Sequence, residues 1–437
     1  MEQEDHPRSP PVTRLVAAPM VDQSELAFRM LCREYGAGLC FTPMFHAALF
    51  VKDQKYRLDN FSSCQGDRPL IVQFCANDPE IFAAAAKLVE DKCDGVDLNL
   101  GCPQGIARKG HYGSFLQDEW DLIHSMILAA SKVCRVPISC KIRVFPQVCK
   151  TIEYAKRLRD AGAGLLTVHG RTREMKGQQT GLADWSQIRA VKESIKDIPI
   201  LSNGNIQFIQ DIDRCLEETS CDGVMSAEGL LYSPSLFSGR HIPVWILCMK
   251  YIDYFKMYGQ GNLGHLKAHL FKMLHHVVQE PENHSMRDQL TNARCLEQYE
   301  SLVNEIREKY EIPGEDQSLE MTTLPVPLYV SQPYFRFDRL HSLEERQGRE
   351  DRISQQQEAS QGKSKRQIRK ELKKQRRQSL KKHQHDLCLT CKTNPRGISC
   401  TFSLCKICCQ IKGESCENHS LNQKTRKKRQ KQIENKE

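Results

Sequence analysis

Short apolar runs and amphipathic stretches alternate along the first part of the chain. The runs are Leu15–Met20, Leu39–Phe45, Leu70–Cys75, Gly95–Gly101, Ile138–Val144, Leu165–Gly170, Pro199–Gly204 and Gly223–Gly229. Between them, Asp78–Asp91, Asp118–Val133, Cys149–Ala161, Trp185–Ser194 and Ile206–Glu218 repeat apolar residues at helical spacing. Runs this short and apolar predict strands buried on both faces, and strands alternating with helices predict a parallel sheet. Eight such units is the number that closes a (β/α)8 TIM barrel. An open doubly wound sheet is the other arrangement, and the strand count favours closure.

The period changes after the eighth run. IPVWILCMKYIDYF, LGHLKAHLFKMLHHVV and NARCLEQYESLVNEIREKY predict three or four helices without strands over 241–311, a small helical domain. Residues 312–340 hold four prolines and no clear period, as a linker or a segment lying against the body would. Residues 341–385 are rich in Gln, Glu, Lys and Arg and hold no aromatic residue, which reads as a charged helix or as disorder. The expected organisation is a disordered N-terminus over 1–11, a barrel over 12–240 and the helical domain over 241–311. A linker with a basic stretch follows over 312–385, then a Cys/His-rich module over 386–420 and a basic tail over 421–437.

In a barrel of this kind the C-terminal strand ends build the active site. Here those ends read APM, TPM, VQFC, DLNLGCP, CKIR, VHGR, LSNGN and MSAEG. Gln73, Asn99, Lys141, His169 and Asn203 would therefore share one rim. One such residue is usually a solvated or capped polar group; five together point to a ligand site. Gln73 suits the N3/O4 edge of a flavin ring, and Lys141 suits the negative charge a reduced flavin carries near N1. The turns Asn203–Gly204–Asn205 and Ala227–Glu228–Gly229 follow the last two strands, where barrels commonly bind phosphate through backbone N–H groups. No G-x-G-x-x-G and no G-x-x-x-x-G-K-[ST] follows a strand, so neither a Rossmann site nor a P-loop is indicated. Cys102 sits between glycine and proline just past a strand, placed for exposure, and its thiol is a candidate proton donor.

Charge and cysteine usage add a second theme. The chain has 437 residues and a net charge of +9, but residues 1–335 carry −6 and residues 336–437 carry +15. A basic tail on an acidic body reads as an electrostatic contact to a polyanion such as nucleic acid, or as a merely solvated segment. The stretch 363–382 alone has eleven basic residues, and it and 424–431 read as import signals or RNA contacts, for a cytoplasmic or nuclear protein. The polar N-terminus is not a secretory signal, so the 20 cysteines are expected as thiols. Seven of them crowd into 388–416, and with one histidine they give eight candidate zinc ligands on short knuckles. These are Cys388, Cys391, Cys400, Cys405, Cys408, Cys409, Cys416 and His419, enough for one zinc or two.

DLNLGCP together with APM, VQFC, CKIR, VHGR and SNGN closely resembles the flavin-dependent tRNA-dihydrouridine synthases, over about residues 12–310. The Cys-rich basic tail is similar to the eukaryotic branch that modifies positions 16 and 17 of the tRNA D-loop. The resemblance implies FMN as cofactor, NADPH or NADH as reductant, tRNA as substrate and a monomer away from membranes. It implies that Pro19, Met20 and Val21 line the flavin, that Gln73 and Lys141 bind its ring, and that His169 contacts the ring or the phosphate. Asn203, Gly204, Asn205, Ala227 and Glu228 would surround the phosphate. Cys102 would protonate C5 of the uracil while C6 is reduced, and Asn99, Arg143 and Arg171 would face the target uridine. Arg287 and Arg294 on the helical domain, with the tail, would supply further RNA contacts. Two residues depart from the family pattern. Many members carry Asp where Asn205 stands and Gly-Arg where Ala227–Glu228 stands, so a phosphate there must be held by backbone N–H groups with the Glu228 side chain turned away. Two alternatives remain: a barrel flavoprotein acting on a small pyrimidine, and a non-catalytic RNA-binding protein.

Overall fold

Eight parallel strands close on themselves in the computed structural model, which describes residues 9–177, 180–259, 261–321 and 325–334. They are β1 (Leu15–Ala17), β2 (Leu39–Phe41), β3 (Leu70–Cys75), β4 (Gly95–Leu100), β5 (Ile138–Arg143), β6 (Leu165–His169), β7 (Ile200–Asn203) and β8 (Gly223–Ser226). Each pairs with its neighbour in sequence, and β1 pairs with β8, which closes the ring. Every one of the eight apolar runs supplies one barrel strand. The extra short strand Phe45–His46 pairs in parallel with the end of β3, at Phe74 and Cys75.

Side-chain alternation along these strands sorts two cores. Outward residues such as Val72, Leu98, Cys140, Val168 and Val224 pack under the helices in one large cluster. Inward residues Val16, Leu39, Phe41, Ile71, Leu165, Leu201 and Met225 form a separate apolar plug. Two residues further along the same inner face the chemistry changes to Gln73, Asp97, Asn99, Ser139, Lys141, Thr167 and Asn203. The barrel is thus apolar at its closed end and polar at its C-terminal end, as a site on that face requires.

The helices run close to their sequence-predicted bounds. Pro79–Lys87 starts one residue after Asp78, because Asp78 is the cap and its carboxylate accepts the Ile81 N–H at 2.9 Å. Trp185–Ser194 is capped in the same way by Asp184. The stretch expected from Ile206 begins as helix only at Ile209, because Asp211 accepts the N–H groups of Gln207 and Phe208 and holds them as a turn.

Residues 244–310 form five helices: Val244–Tyr258, Leu263–Met273, His275–Gln279, His284–Asn292 and Leu296–Tyr310. Their buried residues belong to the same core cluster as the outer face of the barrel. Leu26–Glu34, the first barrel helix, packs on Val244–Tyr258, with Phe28 stacked on His269 at 4.2 Å. Of the stretch 312–340, expected as a linker or as a segment lying against the body, the described part lies against the body. Leu319–Glu320 pairs with Arg240–His241, Ser331 bonds to Ile242, and Tyr334 stacks on Tyr232. Residues from 335 onward lie outside the described residues, as do all eight candidate zinc ligands. No helix among the described residues is long and apolar enough to cross a membrane.

Candidate active site at the C-terminal end of the barrel

The DLNLGCP segment ends β4 and turns at once. Asn99 is buried at the strand end, and its Oδ1 accepts the N–H of Gly101 at 3.1 Å and of Cys102 at 2.9 Å. The Cys102 carbonyl accepts both the N–H and the hydroxyl of Ser114, at 3.1 and 3.0 Å. Gly113 takes φ +65°, and a Cβ there would stand 2.8 Å from that carbonyl, so only glycine lets the loop close on it. Arg143 donates to the Gly101 carbonyl at 2.8 Å and Lys176 to the Pro103 carbonyl at 2.6 Å. Six hydrogen bonds from four residues, Asn99, Ser114, Arg143 and Lys176, therefore hold the backbone of the turn that carries one partly exposed thiol at the barrel mouth.

Behind this turn lies a buried polar layer. Gln73 donates to Asp97 at 2.8 Å and accepts from Asn99 at 2.8 Å, while Ser139 donates to Asp97 at 2.7 Å. Strand register makes these contacts, since Gln73 is paired with Asp97, Asp97 with Ser139, and Asn99 with Lys141. Burial pushes the Asp97 carboxyl up to about 6, against the hydrogen bonds from Ser139 and Gln73 and the nearby Lys141. Lys141 donates to Asn203 at 2.7 Å, and Asn203 in turn donates to the Met225 carbonyl. Burial lowers the Lys141 ammonium to about 7; Arg143 and Arg171 push it the same way, and Asp97 opposes them. Thr167, paired with Lys141, buries a hydroxyl with no partner among the described residues.

His169 ends β6. Burial and the cations Lys141, Arg143 and Arg171 hold its ring well below the usual imidazole range, so it is neutral. Arg171 lies 2.9 Å from His169 Nε2, and a guanidinium can only donate, so Nε2 carries the lone pair and Nδ1 the proton. Arg171 also donates to Asn205 at 3.0 Å and to the Gly181 carbonyl. Asn205 stands at φ +65°, with its side chain bonded to both backbone groups of Ala183. Gly204 stands at φ +114°, a conformation that needs glycine. Ala227 and Glu228 open the short helix Glu228–Tyr232 after β8. Pro19 and Met20 follow β1 half-buried, with the Met20 backbone bonded to Ser24, and Val21 is exposed.

The residues picked from sequence thus gather at one end of the barrel, though not all at an open surface. Arg143, expected to face a uridine, is buried, and it donates to the carbonyls of Gly101, Thr172 and Met175. Arg171, also expected to face the uridine, lies next to the turn at Asn205. Asp97, Ser139, Ser114 and Lys176 were not picked. Asp97 and Ser139 share inward parity with Asn99 and Lys141, a signal the sequence did contain. Nothing local marks Ser114 or Lys176, which reach the turn from other loops. Among the described residues, no cluster of three or more His, Cys, Asp or Glu could hold a metal ion.

Residues 15–320 match the family described as dihydrouridine synthase (Dus). A Mus musculus protein named tRNA-dihydrouridine(16/17) synthase (NAD(P)(+))-like is 45% identical over 430 residues, covering 94% of this chain and 89% of that one. A Saccharomyces cerevisiae tRNA-dihydrouridine(16/17) synthase (NAD(P)(+)) is 48% identical over 354 residues, covering 74% and 84%. A Homo sapiens tRNA-dihydrouridine(20a/20b) synthase (NAD(P)+)-like is 39% identical over 227 residues, covering 51% and 70%.

Proposed function

Since this chain belongs to the dihydrouridine synthase family, we propose that it reduces uridine to dihydrouridine in tRNA, with FMN as cofactor and NAD(P)H as reductant. The similarity to the 16/17 synthases over most of the chain supports positions 16 and 17 as its targets.

The donor set of the site fits FMN. Three cations, Lys141, Arg143 and Arg171, gather near one buried carboxylate, Asp97, an excess of positive charge that favours an anionic ligand. The unpartnered Thr167 hydroxyl lies in the same layer. Gln73 keeps a second N–H and a second lone pair for a ring edge, beyond the bonds to Asp97 and Asn99. At the phosphate end, Ala227–Glu228 brings no cation, but Arg171 beside Asn205 supplies one. When bound, FMN would supply two-electron chemistry between NAD(P)H and the C5=C6 bond of uracil.

The chain's own residues do the rest. Lys141 stabilises negative charge on a bound ring, and charge there draws its proton back. Cys102 delivers a proton to C5, and the thiolate left behind is reprotonated from water. Arg143 and Asn99 hold the turn that aims the thiol. A uridine inside a folded tRNA must leave its stack to reach this mouth. The exposed Arg287 and Arg294, together with the basic tail, supply the grip that the acidic body lacks. We assign the zinc-like ligands Cys388 to His419 to a module serving the same end.

The observation that carries this reading is the clamped Cys102 at the mouth of a cation-rich barrel. The test is Cys102→Ala. Flavin absorbance and NADPH oxidation survive, and dihydrouridine formation on transcribed tRNA falls by about 10²–10⁴, the worth of a positioned acid. Turnover near wild type sinks the acid role. Equal activity on free uridine favours a small-molecule enzyme, and absence of flavin a non-catalytic RNA-binding protein.

A further inference from the structure

We propose that Asp97 is a positioning residue for the Cys102 turn, acting through Gln73 and Asn99 as a hydrogen-bond relay. Each primary amide in that relay could present either end, because its oxygen and its NH₂ have nearly the same shape. Asp97 removes the choice. As a carboxylate it only accepts, so the NH₂ of Gln73 must face it and the Gln73 carbonyl must face Asn99. The NH₂ of Asn99 then faces Gln73, and the Asn99 carbonyl is left for the N–H groups of Gly101 and Cys102. One buried charge thus sets the direction of two side chains and, through them, the seat of the thiol.

The surroundings make this more than a chain of contacts. Asp97 is fully buried, with one oxygen taken by Ser139 and the other by Gln73. Gln73 and Asn99 are buried too, so water does not compete for the amides. The bond to the carboxylate is charge-assisted and is the strongest link. Three adjacent strands in fixed register carry the groups, so a small turn of one amide cannot be absorbed by backbone slip. Any ligand that touches Gln73 is tied to the Cys102 turn by two hydrogen bonds.

The inference deepens the proposed function, and it rests on that reading only for its effect on turnover. The relay itself is read by the reactivity of the thiol. Wild type, Asp97→Ala, Asp97→Asn, Gln73→Met and the double variant Asp97→Ala/Gln73→Met are alkylated with iodoacetamide as full chains. Peptide mass spectrometry gives the rate at Cys102, with the exposed Cys149 and Cys295 as internal references. Asp97→Ala is expected to free the turn and speed alkylation at Cys102 by about fivefold or more, the scale of about 1 kcal/mol. Asp97→Asn, whose amide can present either end to Gln73 and so no longer fixes the direction of the relay, is expected to speed alkylation too, by less than Asp97→Ala. The double variant is expected to react no faster than the faster single one, because both cut the same path.

A wild-type rate in Asp97→Ala overturns the proposal. So do single effects that multiply in the double variant, or rates at Cys149 and Cys295 that rise in step with Cys102. If Asp97→Ala does not fold, Asp97→Asn decides: alkylation at Cys102 faster than wild type supports the relay, and a wild-type rate overturns it. Failure of the acid role is separable. Normal turnover in Cys102→Ala with faster alkylation in Asp97→Ala removes the acid and keeps the relay, and the reverse pattern does the opposite.

Discussion

Lys141 shows how a single residue can be costly to the fold and useful to the site. Its ammonium is held near 7 in the folded chain against 10.5 in an ordinary lysine. Between those values the unfolded chain binds the proton and the folded one does not, so stability rises with pH across that window. Below the folded value the penalty is present in full. We therefore expect Lys141→Met to melt higher than wild type at pH 6, in the flavin-free protein. That advantage should shrink as the pH approaches the unfolded value. A gain of about 1 kcal/mol would show as roughly 2–4 °C in Tm. Melting curves across the range check it, and a difference that does not change with pH would show that Lys141 is not strained. The same variant should lower the midpoint potential of bound flavin, because it removes a cation beside the charge that reduction creates. On the proposed role, function keeps a lysine that stability alone would discard.

At the scale of elements, one buried polar knot adds to the shared apolar core in joining barrel and helical segment. Glu25, at the start of the first barrel helix, accepts from Tyr251 at 2.6 Å and lies 3.1 Å from His269 Nε2. Burial opposes its ionisation, but His269 and the hydrogen bonds from His269 and Tyr251 outweigh that and bring the carboxyl down to about 2. An acid whose folded value lies below its unfolded 4.5 stabilises the fold above 4.5, and that stability is lost as pH falls toward 2. Glu25→Gln should therefore cost about 2–4 kcal/mol near neutral pH, since it leaves buried partners without their carboxylate. The cost should dwindle in acid. Denaturant melts at several pH values measure it. Equal destabilisation at pH 7 and pH 3 would mean that the loss is packing rather than charge.

For the whole molecule, the proposed grip on tRNA follows from the charge split. Removing residues 341–437 takes away most of the basic excess and no barrel residue. Flavin binding and NADPH oxidation should survive. Affinity for tRNA should fall, and its salt dependence should become shallower by about 0.9 in log–log slope for every duplex phosphate that the tail no longer neutralises. The proposed zinc module is tested by changing Cys388 and Cys391 to Ser, which should release metal, since metal binding and folding are coupled in small zinc modules. A salt series of tRNA affinities for the full chain, the truncation and the double Ser variant separates basic runs from module. Identical slopes for all three would show that the tail does not touch RNA.

Much of this protein was legible before any coordinates. Eight apolar runs became eight strands, because a strand buried on both faces has few other ways to be written in sequence. Gln73, Lys141, His169 and Asn203 were readable as a rim because strand ends in a closed barrel must lie together. What the sequence could not give was partnership across strands. Whether Gln73 meets Asp97, and whether Lys176 reaches the Pro103 carbonyl, depends on register and loop path, which local pattern does not encode. The sequence likewise placed Arg143 and Arg171 as equals after adjacent strands. Tertiary structure gave them different partners: carbonyls from two loops enclose Arg143, while Asn205 and His169 hold Arg171 by the last turns. Residue type is written along the chain, but the direction of a hydrogen bond is decided only once its partner has been folded into place.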